Sequence, residues 1–338
     1  MISIILAVYN GERFLRECLD SLRNQTGCDL QFILVDDGST DGSGQICEEY
    51  AGSDSRFLVF HTENRGLCKA REYGIGIAAE QGAKYIGFID SDDWAEPDMY
   101  RILLEAAETA EADVTECGYY REYPGLTETW LPGDCCANAG DALYDLLKGA
   151  SHDYVWNKLW RAELLEGFRF QRDGAYADDM TFTWKIYTRI KSVCTVREPL
   201  YHYRQVQGSI VHAHNTNLVN RWRVALERYK GLQEEPKKLM TEEQWKTVRE
   251  NQIRNCVFIA GKNWLYWLEY PKEEREKYRE DLREMSCFVR ANVPTFGEPD
   301  WETPLKICAF LVRYPNKVSL LLARGISVLT AGRKKRLY

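Results

Sequence analysis

Acidic side chains follow two apolar segments, at points where the strands of a sheet would end. One apolar segment ends in Asp36–Ser39, and another ends in Asp90–Asp93. In extended chain, Asp90 and Asp92 point to the same side because a single residue separates them. Paired carboxylate oxygens suit Mg²⁺ and Mn²⁺, which keep coordination positions open for the phosphates of a substrate. The same pattern also fits a turn that caps a following helix, so the residues alone leave both interpretations open.

The elements around these acids alternate in type over the first hundred residues. The pattern predicts strands at 2–9, 30–35, 57–61 and 84–90, and helices at 11–24, 41–50 and 66–81. Short apolar strands joined by helices form mostly parallel sheets with right-handed crossovers. Ligands of such a sheet bind beyond the carboxyl ends of its strands. We therefore expect the two acidic segments to meet at one edge of the sheet.

The remainder of the chain alternates less regularly and then becomes helical. The pattern predicts helices at 97–110, 141–148 and 178–190, strands at 113–120 and 192–204, and a loop at 123–139. Long charged helices are predicted at 221–233, 242–269 and 272–289. We predict an α/β domain at 1–219, a helical extension at 220–304 and a basic amphipathic tail at 305–338.

The composition is that of an ordinary globular protein. The chain has 338 residues, of which 45% are hydrophobic and 28% are charged, with a formal net charge of −7. This balance excludes a wholly disordered chain, and the acidic excess argues against nucleic acid as the main partner. Eleven cysteines without a CxxC pair favour reduced thiols in the cytoplasm. The first residues lack a basic region and a cleavage site, so we interpret them as a strand and not as a signal peptide.

The tail at 305–338 differs in charge from the rest of the chain. It contains eight Lys or Arg and no Asp or Glu. Since the whole chain has a net charge of −7, residues 1–304 have a net charge of −15. Its apolar runs are shorter than the roughly 20 residues needed to span a bilayer. A cationic, apolar segment of this kind fits peripheral contact with the inner face of the cell membrane. A pair of helices packed on the chain's own domain fits equally well.

Several short motifs, taken in order, resemble those of the family 2 glycosyltransferases. They are AVYN (Ala7–Asn10), VDDGSTD (Val35–Asp41), NRGLCKAREYG (Asn64–Gly74), FIDSDD (Phe88–Asp93), VWNKLWR (Val155–Arg161), ADDMTF (Ala177–Phe182) and YHYR (Tyr201–Arg204). The resemblance implies a GT-A fold, which is a Rossmann-like, mostly parallel central sheet flanked by helices. It implies a nucleotide-binding half at 1–95 and an acceptor half at 96–219.

The resemblance also implies an activity. We expect an inverting, hexosyltransferase-type enzyme that moves one sugar from a nucleotide-sugar, with UDP as the expected nucleotide. The acceptor would be a glycan or a lipid-linked saccharide, the cofactor Mn²⁺ or Mg²⁺, and the setting cell-surface polysaccharide biosynthesis.

Specific site residues follow from the motif positions. For the donor nucleotide the resemblance implies Ala7, Tyr9, Asp37, Arg71, Asp90 and Ser91. It implies Asp92 as the main metal ligand, with Asp90 near the ribose or near an ordered ligand of the metal.

The general base is expected in the acidic pair Asp178-Asp179. The family carries Glu-Asp where this chain has Asp-Asp, and Phe182 keeps its usual distance from the second acid. We favour Asp179 as the base, with Asp178 as the alternative. A carboxylate is needed because the acceptor hydroxyl has a pKa far above 7 and must lose its proton as it attacks. An interpretation without catalysis is that both acids stabilise the first turn of a helix.

Four further residues have weaker signals for acceptor or diphosphate contact. Trp156 and Lys158 would line a sugar pocket, although Trp156 is equally suited to a core. His202 and Arg204 would contact the diphosphate or the acceptor, since guanidinium groups bind phosphate well. A surface role fits these two residues as well.

Two other functions remain open from the sequence. A sugar nucleotidyltransferase would carry a Gly-rich, basic loop after the first strand, where this chain has Asn10-Gly11-Glu12-Arg13. A catalytically silent, glycan-binding GT-A scaffold is compatible with the Asp-Asp variation.

Overall fold

The chain divides into two compact units, residues 1–210 and 211–338. A computed structural model of the protein describes residues 1–133, 136–169, 178–205, 218–266, 271–294, 298 and 300–315. The first unit contains a mixed ten-stranded sheet, and the described part of the second unit is helical.

The first ninety residues form a parallel half-sheet covered by helices. Its strands are β1 (Ile2–Val8), β2 (Leu30–Asp36), β3 (Phe57–His61) and β4 (Tyr85–Asp90), and its helices are α1 (Glu12–Arg23), α2 (Ser43–Ser53) and α3 (Leu67–Glu80). The strand order β3-β2-β1-β4 is parallel throughout. β1 and β2 are almost wholly buried, as their continuous apolar runs predict. Each predicted strand and helix of this half is confirmed to within a few residues at its ends.

The second half of the first unit mixes parallel and antiparallel pairing. Its strands are β5 (Trp94–Ala95), β6 (Val114–Tyr123), β7 (Leu126–Trp130), β8 (Cys136–Asn138), β9 (Lys158–Arg161) and β10 (Ser192–Arg204), and its helices are α4 (Met99–Thr109), α5 (Ala139–Lys148) and α6 (Asp178–Tyr187). β9 lies antiparallel between β4 and β6, and thus joins the two halves of the sheet. β6 and β10 are parallel, and the short strands β5, β7 and β8 pair antiparallel at their sides.

One predicted loop contains regular structure. We expected an irregular segment at 123–139, but Leu126–Trp130 pairs with β6 as a hairpin and Cys136–Asn138 pairs with β10. Most of the Leu126–Trp130 side chains are exposed, so the strand has no buried face and no apolar alternation to reveal it.

The described part of the second unit is a helical core. Its helices are α7 (Leu218–Gly231), α8 (Glu235–Lys238), α9 (Glu242–Tyr266), α10 (Lys272–Lys277), α11 (Arg279–Asn292) and α12 (Thr303–Arg313). The single helix predicted at 272–289 is therefore two helices.

The start of the basic tail belongs to this helical core. Helix α12 buries Cys308 and Val312 against α9 and α11, and a Cβ atom on Gly261 would come within 2.4 Å of the Cys308 sulfur. Residues 316–338 lie outside the described residues, so membrane contact through the tail stays a prediction. Within the described ranges, no helix is both long and apolar enough to cross a membrane.

Candidate active site

The strand register brings the two acidic segments to the same edge of the sheet. Ala7 at the end of β1 lies opposite Asp90 of β4, and Val8 lies opposite Asp36 of β2. The carboxyl ends of β2 and β4, on either side of β1, thus present their acids at one edge, as expected for this sheet type.

Arg71 of helix α3 joins an acid of this edge to the acid of a distant helix. Its Nη2 atom donates to Asp90 Oδ1 at 2.8 Å, and its Nη1 atom donates to Asp179 Oδ1 at 2.7 Å. The Arg71 side chain is only 3% exposed, so both ion pairs are largely shielded from solvent. A Cβ atom on Gly74 would lie 2.5 Å from Ile5, so this glycine allows α3 to approach β1 closely. The close approach places Arg71 between two carboxylates that are far apart in sequence.

The three acids after β4 have raised pKa values. Burial raises the pKa of Asp90 to about 6, Arg71 opposes that shift, and the negative charge of Asp179 adds to it. Burial also raises the pKa of Asp92. For Asp93, burial and the neighbouring Asp92 and Asp90 raise the pKa well above its ordinary value. Buried carboxylates of like charge are stabilised by a nearby cation.

Strand β10 holds this acidic segment in place. The hydroxyl of Tyr201 donates to Asp93 Oδ2 at 2.7 Å and accepts from the Asp90 amide at 3.2 Å. The Arg204 amide donates to Asp93 Oδ1 at 2.8 Å, and its side-chain Nε donates to the Asp92 carbonyl at 2.7 Å. The sequence interpretation omitted Tyr201. The sequence does indicate that Tyr201 has a different environment from His202 and Arg204. Side chains alternate along a strand, so Tyr201 lies on the opposite face of β10.

Asp37 organises the chain that leads into α3. Its Oδ1 atom accepts from the Arg65 amide at 2.9 Å, and its Oδ2 atom accepts from the Gly66 amide at 2.7 Å. The side chain is 3% exposed. Asp37 therefore fixes the N-terminus of the helix that carries Arg71.

The remaining residues expected at the donor nucleotide lie around the ends of β1 and β4. Tyr9 is exposed, and Ala7 and Ser91 are half-buried. A Cβ atom on Gly11 would lie 3.1 Å from Ser91 Oγ, so Ser91 lies beside the turn after β1.

The donor set after β4 fits a divalent cation that shares its coordination with a substrate. In the described part of the chain, no group of three or more His, Cys, Asp or Glu is arranged to hold a metal ion alone. The Asp92 carboxylate accepts no side-chain hydrogen bond among the described residues. Burial raises its pKa, and the positive charge of Arg204 opposes that rise only in part. Mg²⁺ typically takes one or two carboxylates and completes its shell with water and phosphate oxygens. Asp92 with Asp90 is a donor set of that kind.

Trp156 and Lys158 lie inside the protein. Trp156 is 2% exposed and stacks on Tyr201, with ring centres 4.2 Å apart. Lys158 is fully buried, and its ammonium donates to Glu116 and to the carbonyls of His152 and Tyr154. Both contribute to the packing beneath the site.

His202 and Arg204 lie beside the acidic segment, on the opposite face of β10 from Tyr201. The His202 ring stacks between Trp94 and Tyr120, and its two nitrogens lie 2.8 and 2.9 Å from carboxylates of Glu122 and Glu96. The Arg204 guanidinium lies over the ring of Trp94, 4.4 Å from its centre, and pairs with Glu17. Their contact with a diphosphate stays a prediction.

Asp178 and Asp179, the two candidates for the general base, begin helix α6. Asp179 faces Arg71, and its Oδ2 atom accepts no hydrogen bond from the described residues. The side chain of Asp178 lies outside the described residues. Of the two acids, only Asp179 therefore has contacts that can be described, and these are compatible with a general base.

Comparison with known proteins identifies the family and the fold of the chain. The profile of the family described as Glycosyl transferase family 2 matches residues 3–181. Two proteins of Bacillus subtilis named as glycosyltransferases, EpsH and EpsJ, are each 38% identical to this chain, over 226 and 219 residues. The aligned regions cover 64% and 62% of this chain and the same shares of those two proteins, which is less than two thirds of their length.

Solved structures share the fold. Residues 1–349 of Staphylococcus aureus TarS, in complex with UDP-GlcNAc, superpose with a TM-score of 0.67 at 18% identity, covering 94% of this chain and 89% of that one. The mannosyltransferase PcManGT of Pyrobaculum calidifontis, in complex with GDP-Man and Mn²⁺, gives 0.51 at 14% identity, covering 95% and 86%. These likenesses confirm the GT-A architecture expected from the motifs. Because the family profile covers more than half of the chain, from β1 into α6, this protein is a member of glycosyl transferase family 2.

Proposed function

We propose that the protein is an inverting glycosyltransferase that moves one hexose from a UDP-sugar to a glycan or lipid-linked saccharide, in cell-surface polysaccharide biosynthesis. The observation that carries the proposal is the position of Arg71, which contacts Asp90 of the donor side and Asp179 at the start of α6. The donor diphosphate would lie at the ends of β1, β2 and β4. The acceptor hydroxyl would then approach from the side of Asp179.

Asp179 has the features of a general base. Its ion pair with Arg71 stabilises the negative charge on the carboxylate, while Oδ2 accepts no hydrogen bond from the described residues. Oδ2 takes the proton of the acceptor hydroxyl as its oxygen attacks C1. The bond from C1 to the diphosphate oxygen breaks on the opposite side, which inverts the anomeric centre. One carboxylate is sufficient, because no covalent intermediate forms.

Asp92, with Asp90, would hold Mn²⁺ or Mg²⁺. A bound divalent cation supplies charge neutralisation for the leaving diphosphate. The cation would add positive charge at Asp92, whose pKa stays raised by burial although Arg204 opposes the rise.

The test is turnover of UDP-sugars by variants of the two neighbouring acids. Purified protein with Mn²⁺ is given UDP-GlcNAc, UDP-glucose or UDP-galactose, and UDP release is followed with water as acceptor. NMR of the fresh product reports the anomeric configuration. We expect inversion, and we expect Asp179→Asn to lower kcat by about 10²–10⁴ while UDP affinity is retained, because only the proton acceptor is lost.

Asp178→Asn is the matched control, since it changes the adjacent acid of the same helix turn. We expect it to keep most of the turnover. Full activity of Asp179→Asn would remove the proposed mechanism, and retention of configuration would remove the single-displacement chemistry.

A further inference from the structure

A cluster of aromatic rings covers one face of the sheet in the second half of the first unit. We call it the aromatic face, and its members are Tyr119, Trp130, His152, Tyr154, Trp156 and Tyr203. The ring of Tyr154 stacks on Trp156 at 4.6 Å and on His152 at 5.3 Å, and Tyr119 stacks on Trp130 at 5.0 Å. The cluster comes from three separate parts of the chain: β6 with β7, the segment before β9, and β10.

Part of the aromatic face is open to solvent. Tyr119 and Trp156 are buried, whereas Trp130, His152, Tyr154 and Tyr203 are half-buried. Half-exposed rings combine an apolar surface with polar groups at their edges. Such a surface suits a sugar ring, which presents an apolar face of C–H groups and a rim of hydroxyls.

An arginine without an acidic partner lies on the same face. Arg121 Nη2 donates to the Tyr119 hydroxyl at 3.1 Å, and its guanidinium also bonds the phenol of Tyr154. Among the described residues no carboxylate pairs with Arg121, although the chain has an excess of acids and most other described arginines of this unit have an acidic partner. The guanidinium is therefore positioned by phenols and retains its capacity to bind an anion.

The aromatic face adjoins the proposed base. Burial raises the pKa of the Tyr154 phenol, Arg121 lowers it, and the negative charge of Asp179 raises it further, which places Tyr154 within the influence of both groups. The hydroxyl of Thr183 on α6 donates to the Asp153 carbonyl at 2.6 Å, so the helix of Asp179 is tied to the segment of Tyr154. Trp156 then stacks on Tyr201, which contacts Asp90 and Asp93.

We propose that the aromatic face with Arg121 is the acceptor subsite, and that the acceptor saccharide carries a negative charge, as a phosphate or a carboxylate, that Arg121 binds. This inference rests on the proposed function, because it assigns the acceptor of the same reaction. The sugar rings lie against the half-exposed edge of the aromatic face, at Trp130 and Tyr203. The anionic group accepts hydrogen bonds from the Arg121 guanidinium.

The test is oligosaccharide binding by calorimetry, without nucleotide and at low ionic strength. The probes are a hyaluronan tetrasaccharide with carboxylates, a tetramer of glycerol phosphate and neutral chitotetraose. We expect one of the anionic probes to bind at least about tenfold more tightly than chitotetraose. The neutral probe has no anionic group that could accept a charged hydrogen bond from Arg121. The anionic probe that binds better identifies the charged group.

We expect Arg121→Gln to lose the preference for the anionic probe. Arg121→Lys should keep part of it, since lysine retains the positive charge but lacks the planar guanidinium group.

Arg101→Gln is the matched control, because Arg101 lies on α4 and pairs with Glu105 and Asp98. We expect it to bind all three probes as the unaltered protein does. Equal affinity for the three probes, no binding of any of them, or a preference that survives Arg121→Gln would overturn the subsite. UDP-sugar turnover is measured on the same samples, so loss of the proposed function is seen separately from loss of the acceptor preference.

Discussion

The two halves of the first unit position their site residues in different ways. In residues 1–90, the acids lie at the ends of parallel strands, and Asp37 is held by backbone amides close to it in space. In residues 91–205, positioning depends on side chains that meet across long stretches of chain, as Glu116 meets Lys158 and Tyr201 meets Asp93. The first half is thus organised by backbone geometry and the second by buried polar and aromatic contacts.

This difference has a consequence for stability. A strand end tolerates changes in its exposed side chains because the backbone ladder remains. A buried charge pair does not tolerate the loss of one member, because the other is left without compensation in a low-dielectric interior. The second half should therefore be the more sensitive of the two to single polar substitutions.

The largest expected effect is on the buried pair of the second half. Lys158→Met removes the ammonium that donates to Glu116 at 3.1 Å and leaves that carboxylate buried. We expect the free energy of unfolding, measured with urea, to fall by about 3–5 kcal/mol. Replacing both partners, with Glu116→Gln added, should recover part of the loss.

The matched control lies in the first half. Arg16→Met breaks the exposed pair with Glu49, whose side chains are about half open to solvent. We expect no resolvable change in the free energy of unfolding, since exposed pairs contribute little. Equal losses for Lys158→Met and Arg16→Met would break the contrast between the halves.

The same contrast explains what the sequence could predict. Strands β1 to β4 and their helices follow from apolar runs and short-range periodicity, and the convergence of Asp37 and Asp90 follows from parallel pairing. Lys158 carries no local sign of burial, because its partner Glu116 lies on another strand. Tyr201 lies within the YHYR motif, whose polar members His202 and Arg204 carry the more evident chemistry. The hairpin strand at 126–130 is exposed and has no apolar period. Long-range side-chain partners leave no trace in a short window of sequence.

A smaller effect is expected in the pH dependence of Asp90. Burial raises the pKa of this carboxyl from about 3.9 when unfolded to about 6 when folded. Between these values the folded protein binds more protons at Asp90, so this contribution to stability falls as pH rises from about 4 to about 6. We expect the unfolding free energy of the unaltered protein to lose on the order of 1 kcal/mol relative to Asp90→Asn over that interval. Curves of the two proteins that stay parallel would show that Asp90 is not perturbed in this way.

We propose that the acids of the first half and Asp179 of the second half act on one donor. A crystal structure with a UDP-sugar and Mn²⁺ tests it most directly. We predict the diphosphate at Asp90 and Asp92, with the sugar C1 facing Asp179 across the site. A donor bound away from the ends of β1, β2 and β4, or an Asp179 carboxylate turned away from C1, would contradict the account.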